Sequence, residues 1–368
     1  MSYKLDVLKS TLPDLVPGFI DNFTNWHPLT KYIKDSGGFD KRKAKGPWVE
    51  FNVMTGGPGA VDSVYSGGEV FSSTINNMLQ KGTEYPHRFV YHYAIPKKMI
   101  DELETEYDFA NLIEALPEQA VGDLMEGTNA QIVRGAFSAG TNDAPNGSKG
   151  LTTLNGSQQY FPQDGSTGRT GIFQFAAPAS QTATVHGLAM QGATSGVKGW
   201  YHQYGVITDF ATDGRPTLET VRDKANRQGA KADSSINLIL SDPGSRQQYV
   251  NSLDAQVRLA MVDLKGERVP DGIRDAIKFG SADWFSDDAI DITDTTAFTN
   301  ADAQDGVIYM LNTKYWELFT IGKGKRMFEF EELMPNPFGD SVIAHMVNYW
   351  NIYCTNLRAQ GCVTGGNR

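Results

Sequence analysis

Apolar and polar positions alternate most clearly in two early segments. Trp48 to Met54 reads WVEFNVM, with Val49, Phe51 and Val53 on one face and Glu50 and Asn52 on the other, and Gly56-Gly57-Pro58-Gly59 then turns the chain. Phe89 to Ile95 repeats the pattern, with Phe89, Tyr91, Tyr93 and Ile95 opposite Val90 and His92. Roughly 30 polar, glycine-containing residues separate the two strands, too many for a tight hairpin. The pair is therefore predicted to form a projecting β-loop whose far end rests on something else. Upstream, residues 1–46 hold short apolar stretches broken by Pro13, Pro17, Pro28 and Gly37-Gly38, with no sustained period, and read as an extended arm.

The pattern changes to a helical one after Pro96. Met99, Ile100, Leu103, Tyr107, Ala110, Leu112, Ile113, Leu116, Val121, Leu124 and Met125 recur three to four residues apart and continue toward Ile132 and Val133. They predict a helix of up to about 40 residues, or about 60 Å, with a kink near Pro117. From Thr141 to Gly199 the chain is rich in Gly, Ser, Thr and Gln and reads as strands and loops, including a short β-like piece from Gly171 to Ala176. A compact α/β texture follows over 213–325. PTLETVRDKANRQG predicts a helix with Pro216 in its first turn and Gly229 as its stop, and INLILSD predicts a buried strand. A second helix then opens with Asp242 as N-cap and Pro243 at N1. DGVIYMLN is another apolar strand, and VIAHMVNYWNIYCTN returns to strand character near the C-terminus.

Composition narrows the classes. The 368 residues carry a formal charge of −10, which argues against affinity built on neutralising nucleic-acid phosphates. That charge is uneven: +3 over residues 1–100, −8 over 101–140 and −5 beyond. Lys31, Lys34, Lys41, Arg42, Lys43 and Lys45 form the one clear basic cluster, faced only by Asp35 and Asp40; a solvated, flexible stretch is the plainer reading of it. Cys354 and Cys362 show no disulfide or zinc framework and read as free buried thiols. The N-terminus lacks the apolar core of a secretion signal, and Thr170 to Val197, the longest uncharged stretch, is too polar for a bilayer. A soluble chain made in a reducing cytoplasm is the expectation.

Catalytic signatures fail on inspection. Ala136-Phe137-Ser138-Ala139-Gly140 lacks the first glycine of a nucleophile elbow and ends a helix. The histidines His27, His87, His92, His186, His202 and His345 have no metal-ligand spacing. Asp283 to Asp305 is acid-rich, but Asn300-Ala-Asp302-Ala-Gln304 is followed by Asp305 where a calcium loop needs glycine, and Leu311 stands in place of the closing Glu. An exposed acidic loop is the reading there. Gly322-Lys323-Gly324-Lys325 lacks the rest of a phosphate-binding loop and reads as a turn, with anion binding second. No cofactor, metal or catalytic residue is assigned, and the chain is read as architectural rather than enzymatic.

The order of elements, basic arm, long β-loop, long acidic helix, β-rich segment, α/β region and final strand, resembles the major capsid protein of tailed bacteriophages, the HK-ninety-seven-like fold, over essentially the whole chain. VKGWYHQYGVITDFATDGRPTLETVRDKANRQG followed by INLILSDPGSRQQYVNSL resembles the entry into that family's axial domain; DGVIYMLNTKYWEL and NYWNIYCTNLRAQGCVTGG are similar to its later segments. The resemblance implies an α+β chain with an N-arm over 1–46, a β-hairpin E-loop over 47–96 and a peripheral domain over 97–212 whose spine helix is 97–137. An α/β axial domain over 213–325 and a return to the peripheral domain over 326–368 complete it.

As function it implies self-assembly, through hexameric and pentameric capsomers, into an icosahedral head shell around double-stranded DNA. Location in the virion capsid after assembly in the host bacterial cytoplasm follows. The implied partners are other copies of the chain, a portal protein, a decoration protein in some members, and packaged DNA held without sequence-specific binding and without a membrane. The E-loop begins near residue 47, leaving no room for the cleavable scaffolding segment of some members, so a separate scaffolding protein is expected. An arm and a loop that cannot bury their apolar faces at home must do so on a neighbour. The basic cluster is accordingly expected to lie against an adjacent subunit's acids, with Asp101, Glu102, Glu104, Glu106 and Asp108 as first candidates. An encapsulin-type nanocompartment shell is the alternative within the fold, and a β-rich enzyme or carbohydrate-binding protein the alternative from another class.

Overall fold

The computed structural model describes residues 27–38, 49–54, 79–84, 87–96, 98, 129, 184–185, 188–189, 201–227, 235–253, 277–287, 290, 306–320, 328–330, 334–335 and 339–366. They form a mixed, α+β arrangement dominated by two sheets. Within 97–137, the two described residues, Lys98 and Asn129, are both helical. The remainder of the expected spine helix lies outside the described residues, as does 171–176.

The larger sheet has six strands in the order β6 (Gln203–Val206), β15 (Gly361–Thr364), β10 (Ile308–Leu311), β7 (Leu238–Ser241), β9 (Ala282–Ser286) and β8 (Ile277–Phe279). β6 runs parallel to β15 and β7 parallel to β9, and the other pairs are antiparallel. Every residue of β7 and β10 is buried, which is why LILS and IYML read as unbroken apolar runs rather than alternating ones. The register Val363↔Ile308, Met310↔Ile239 and Ile239↔Trp284 puts these side chains on one face. There they pack with Leu218, Val221 and Ala225 of α2 (Arg215–Arg227) and Tyr249 of α3 (Pro243–Ser252). Tyr249 stacks on Trp284 at 4.7 Å between centroids, and Phe279 meets both rings edge-on.

Two helix starts are found where expected, while the Gly229 stop lies outside the described residues. Asp242 is the N-cap of α3, its carboxylate accepting from the Ser245 amide at 2.9 Å and the Ser245 hydroxyl at 2.5 Å, with Pro243 in the first turn. α2 starts at Arg215, directly after a π-helical turn, Phe210–Gly214.

The second sheet is built on β14 (Ser341–Cys354), 14 residues long. One edge of β14 pairs with β3 (His87–Pro96) from Ser341↔Pro96 to Trp350↔His87. Its other edge takes in turn β13 (Met334–Pro335), β12 (Phe328–Phe330) and β11 (Trp316–Thr320). Two small antiparallel pairs stand apart: β1 (Val49–Met54) with β2 (Leu79–Glu84), and β4 (Thr184–Val185) with β5 (Leu188–Ala189).

Three expectations are corrected. β1 does not pair with the strand at 89–95; it pairs with β2, from Val49↔Glu84 to Met54↔Leu79, while β3 follows the ten-residue ladder that β14 offers. The extended arm is also interrupted, because Pro28–Asp35 is helical (α1) with Leu29 and Ile33 fully buried. Thirdly, the acid-rich segment does not begin as an exposed loop. Ala282–Ser286 is an inner strand of the six-stranded sheet, its Trp284 and Phe285 buried, and Asp287 is only 6% exposed.

The six-stranded sheet also draws β6 and β15 from outside 213–325, whereas β11, within that range, joins the sheet on β14.

Candidate inter-subunit elements

The β1–β2 hairpin has a two-faced base. Val49 and Phe51 are buried, and so is Gly82 opposite Phe51. Glu50, Asn52 and Lys81 are exposed, with Lys81 Nζ 3.3 Å from Glu50 Oε2. The alternation read in VEFNVM is therefore real over Val49–Asn52, and at Val49 and Phe51 its apolar face is covered by the chain itself. Phe51 stacks on Tyr353 of β14 at 4.1 Å and 21° between ring planes. Tyr353 is held in turn by Phe319 at 5.6 Å and by donating its hydroxyl to the Glu317 carboxylate. This contact anchors the base of the hairpin on the sheet built on β14.

α1 is docked on the same chain. Its C-terminal end closes with Gly37 in the left-handed region (φ 68°), the Gly37 amide donating to Lys34 O and the Gly38 amide to Ile33 O, so the last carbonyls are satisfied. The Tyr32 hydroxyl donates to Asp283 Oδ2 of β9 at 2.5 Å, and its ring meets Phe285 at 6.0 Å. Burial, and then the Asp283 carboxylate, push the Tyr32 phenol well above its usual range, so it remains a donor at any ordinary pH. Lys278 Nζ sits 3.6 Å from the other Asp283 oxygen.

Of the expected basic set, Lys31 and Lys34 lie on α1. Lys41, Arg42, Lys43 and Lys45, and the acids Asp101, Glu102, Glu104, Glu106 and Asp108, lie outside the described residues. The contacts that position these elements, Phe51 with Tyr353 and Tyr32 with Asp283, had no signal in the sequence. They join residues some 300 and 251 positions apart, the first figure an approximate count along the chain.

The chemistry of the described residues is quiet. Cys354 and Cys362 are free and fully buried, and burial raises both thiols far from the reactive range. His202 is fully buried, and that burial lowers it to about 3. Among the described residues no group of three or more His, Cys, Asp or Glu side chains could hold a metal, and no helix is long and apolar enough to cross a membrane.

No family model and no curated protein matches this sequence. Solved structures do. The chain is similar to a chain of the cyanophage A-1(L) capsid asymmetric unit with a TM-score of 0.57 at 11% identity, over 89% of this chain and 90% of that one. It is similar to the capsid of the native GTA particle with a TM-score of 0.52 at 11% identity, over 90% of each chain. This is a phage major capsid protein fold. A solved structure titled Mycobacterium phage Ogopogo gives a TM-score of 0.50 at 9% identity over 92% of this chain and 91% of that one. At these identities the phage capsid fold is shared as an arrangement of strands and helices. The side-chain contacts of the hairpin and of α1 are read from this chain alone.

Proposed function

We propose that this chain is a major capsid protein of a tailed bacteriophage, assembling as hexamers and pentamers into the icosahedral shell that encloses a double-stranded DNA genome. The observation that carries the reading is likeness over about nine-tenths of both chains to subunits of a cyanophage capsid and a GTA capsid. In this reading 1–46 is the N-arm, interrupted by α1 as a fixed docking point; 47–96 is the E-loop, its stem formed by β1 and β2. The peripheral domain is drawn from 97–212 apart from β6, and the six-stranded sheet, which adds β6 and β15 to the strands of 213–325, is the centre of the axial domain.

The contact of Lys31, Lys34, Lys41, Arg42, Lys43 and Lys45 with Asp101, Glu102, Glu104, Glu106 and Asp108 of an adjacent subunit belongs to the same proposal. Exposed pairs contribute about 0–1 kcal/mol each, so the gain comes from several acting together and from repetition around the shell. A separate scaffolding protein and a portal are the assembly partners, and the acidic total suits a wall that leaves packaged DNA free to slide.

Negative-stain microscopy of the protein, expressed alone and together with its neighbouring genes, tests the reading. Icosahedral shells are expected; small monodisperse oligomers in both conditions would overturn it. Shells filled by a cargo enzyme in place of DNA would transfer the chain to the encapsulin class.

A further inference from the structure

We propose that α1 and the Gln360 side chain form a brace that holds the two sheets as one rigid body, and that the brace is closed by the N-terminal segment. Two of the chain's passages between the sheets are short and lie side by side: β10 leads through the 3-10 turn Thr313–Tyr315 into β11, and β14 leads through Leu357–Ala359 into β15. Two short crossings of this kind would ordinarily be a hinge. Here the gap between them is filled by Gln360, which is fully buried. Its Oε1 accepts from the Asn312 amide at 2.8 Å and from Trp316 Nε1 at 3.0 Å, and its Nε2 donates to Asn312 O at 3.3 Å and Asn356 O at 3.2 Å. Both lone pairs and both protons of the amide are used, so the side chain has no alternative arrangement that keeps its bonds.

The first crossing is also held from the start of β7. Asn237 Oδ1 accepts from the Thr313 amide at 3.0 Å and its Nδ2 donates to Thr313 Oγ1 at 2.7 Å. Thr355 N reaches Tyr315 O at 2.9 Å and ties the second crossing to the first.

α1 spans the joint from outside. At one end Tyr32 is bound to Asp283 and packed on Phe285 of the six-stranded sheet. At the other, Gly38 O accepts from the Leu318 amide of β11 at 2.9 Å, and Ser36 Oγ meets Thr313 Oγ1 at 2.7 Å within the joint itself. The approach at Gly38 is so close that an added Cβ would lie 2.2 Å from Trp316 O. A single 11-residue stretch, 28–38, thus bonds to both sheets and to the crossing between them. If the subunit changes shape, it moves at elements other than this joint for as long as the N-terminal segment stays docked, and a pull on that segment removes the outer support and leaves the joint to Gln360 and Asn237.

Hydrogen exchange on the purified, unassembled full chain tests the brace, and its outcome does not depend on whether the chain builds shells. In the parent protein the amides of β7 and β10 and those of β11 and β14 should open together with one common free energy. The double variant Tyr32→Phe, Ser36→Ala removes hydrogen bonds and adds no bulk. It should lower the protection of one sheet relative to the other by about tenfold, as the loss of one or two hydrogen bonds implies. Gln360→Met should act in the same direction and more strongly; if it fails to fold, the double variant decides alone. Two separate sheet openings in the parent, or a ratio of protection between the sheets that the double variant leaves within about twofold, would overturn the proposal.

Discussion

Replacing Phe51 by alanine tests whether the hairpin is anchored on its own subunit. The ring is 2% exposed and stacked on Tyr353. Truncating a buried phenylalanine costs about 3–5 kcal/mol, the loss of burial plus the cavity left where Tyr353 and Phe319 cannot collapse inward. The stacking alone accounts for about 0.5–1.5 kcal/mol of that. Phe51→Leu, which keeps most of the apolar area, should accordingly cost closer to about 1–1.5 kcal/mol. Because Phe51 and Val49 are buried on β1, the loss should appear as local opening of the hairpin before the sheets unfold.

Hydrogen exchange over 49–54 and 79–84 would read that opening, with denaturant unfolding of the same variants giving the global figure. For Phe51→Ala, exchange over the hairpin should quicken by at least about a hundredfold while β7 and β10 change far less, a factor of ten corresponding to about 1.4 kcal/mol. If Phe51→Ala lowers hairpin protection by less than about fivefold, or if β7 and β10 lose as much as the hairpin, the anchoring argument is wrong.

Asp242→Ala removes the cap of α3 and leaves the Ser245 amide and hydroxyl without their acceptor in a buried site; a loss of about 2 kcal/mol in denaturant unfolding is expected, and Asp242→Asn should recover much of it. His202 is neutral in the folded chain down to about pH 3 but takes up a proton near pH 6.5 when unfolded, so its presence costs nothing above pH 6.5 and progressively destabilises the fold as pH falls toward 3. Between pH 6 and 4 the stability of the parent should fall more steeply than that of His202→Gln, by about 1.4 kcal/mol per pH unit, and equal slopes would refute this. Cys354 and Cys362 should be silent to a thiol-specific colorimetric reagent in the native protein and both react on unfolding; a fast-reacting thiol in the native state would contradict their burial.

Elements whose cause is local can be read from the order of residues. Asp242 and Pro243 mark the start of α3 because capping and a preset φ act within one turn. LILS and IYML announce buried strands because strands covered on both faces need apolar side chains at every position. VEFNVM shows which face of β1 turns inward, since that needs only a period of two. The likeness to a capsid fold was legible for a related reason, as it rests on the order and length of such elements.

The partner of each element emerges only when the chain is folded. β2, LQKGTE, carries no alternation that marks it as the mate of β1, and β3 is drawn away by a strand more than 240 residues later. β15 enters the six-stranded sheet between β6 and β10 although GCVT shows nothing of the 14-residue β14 that precedes it. α1 escaped notice because its eight residues follow a run without periodicity, and its stability comes from packing on distant strands, as is usual for a helix too short to persist alone. Gln360, an ordinary polar residue in the string LRAQGCV, becomes the centre of a joint solely because two crossings bring Asn312, Trp316 and Asn356 around it. Periodicity reports which side of an element is buried; it holds no information about the partner, which is selected by shape and by hydrogen bonds formed across most of the chain's length.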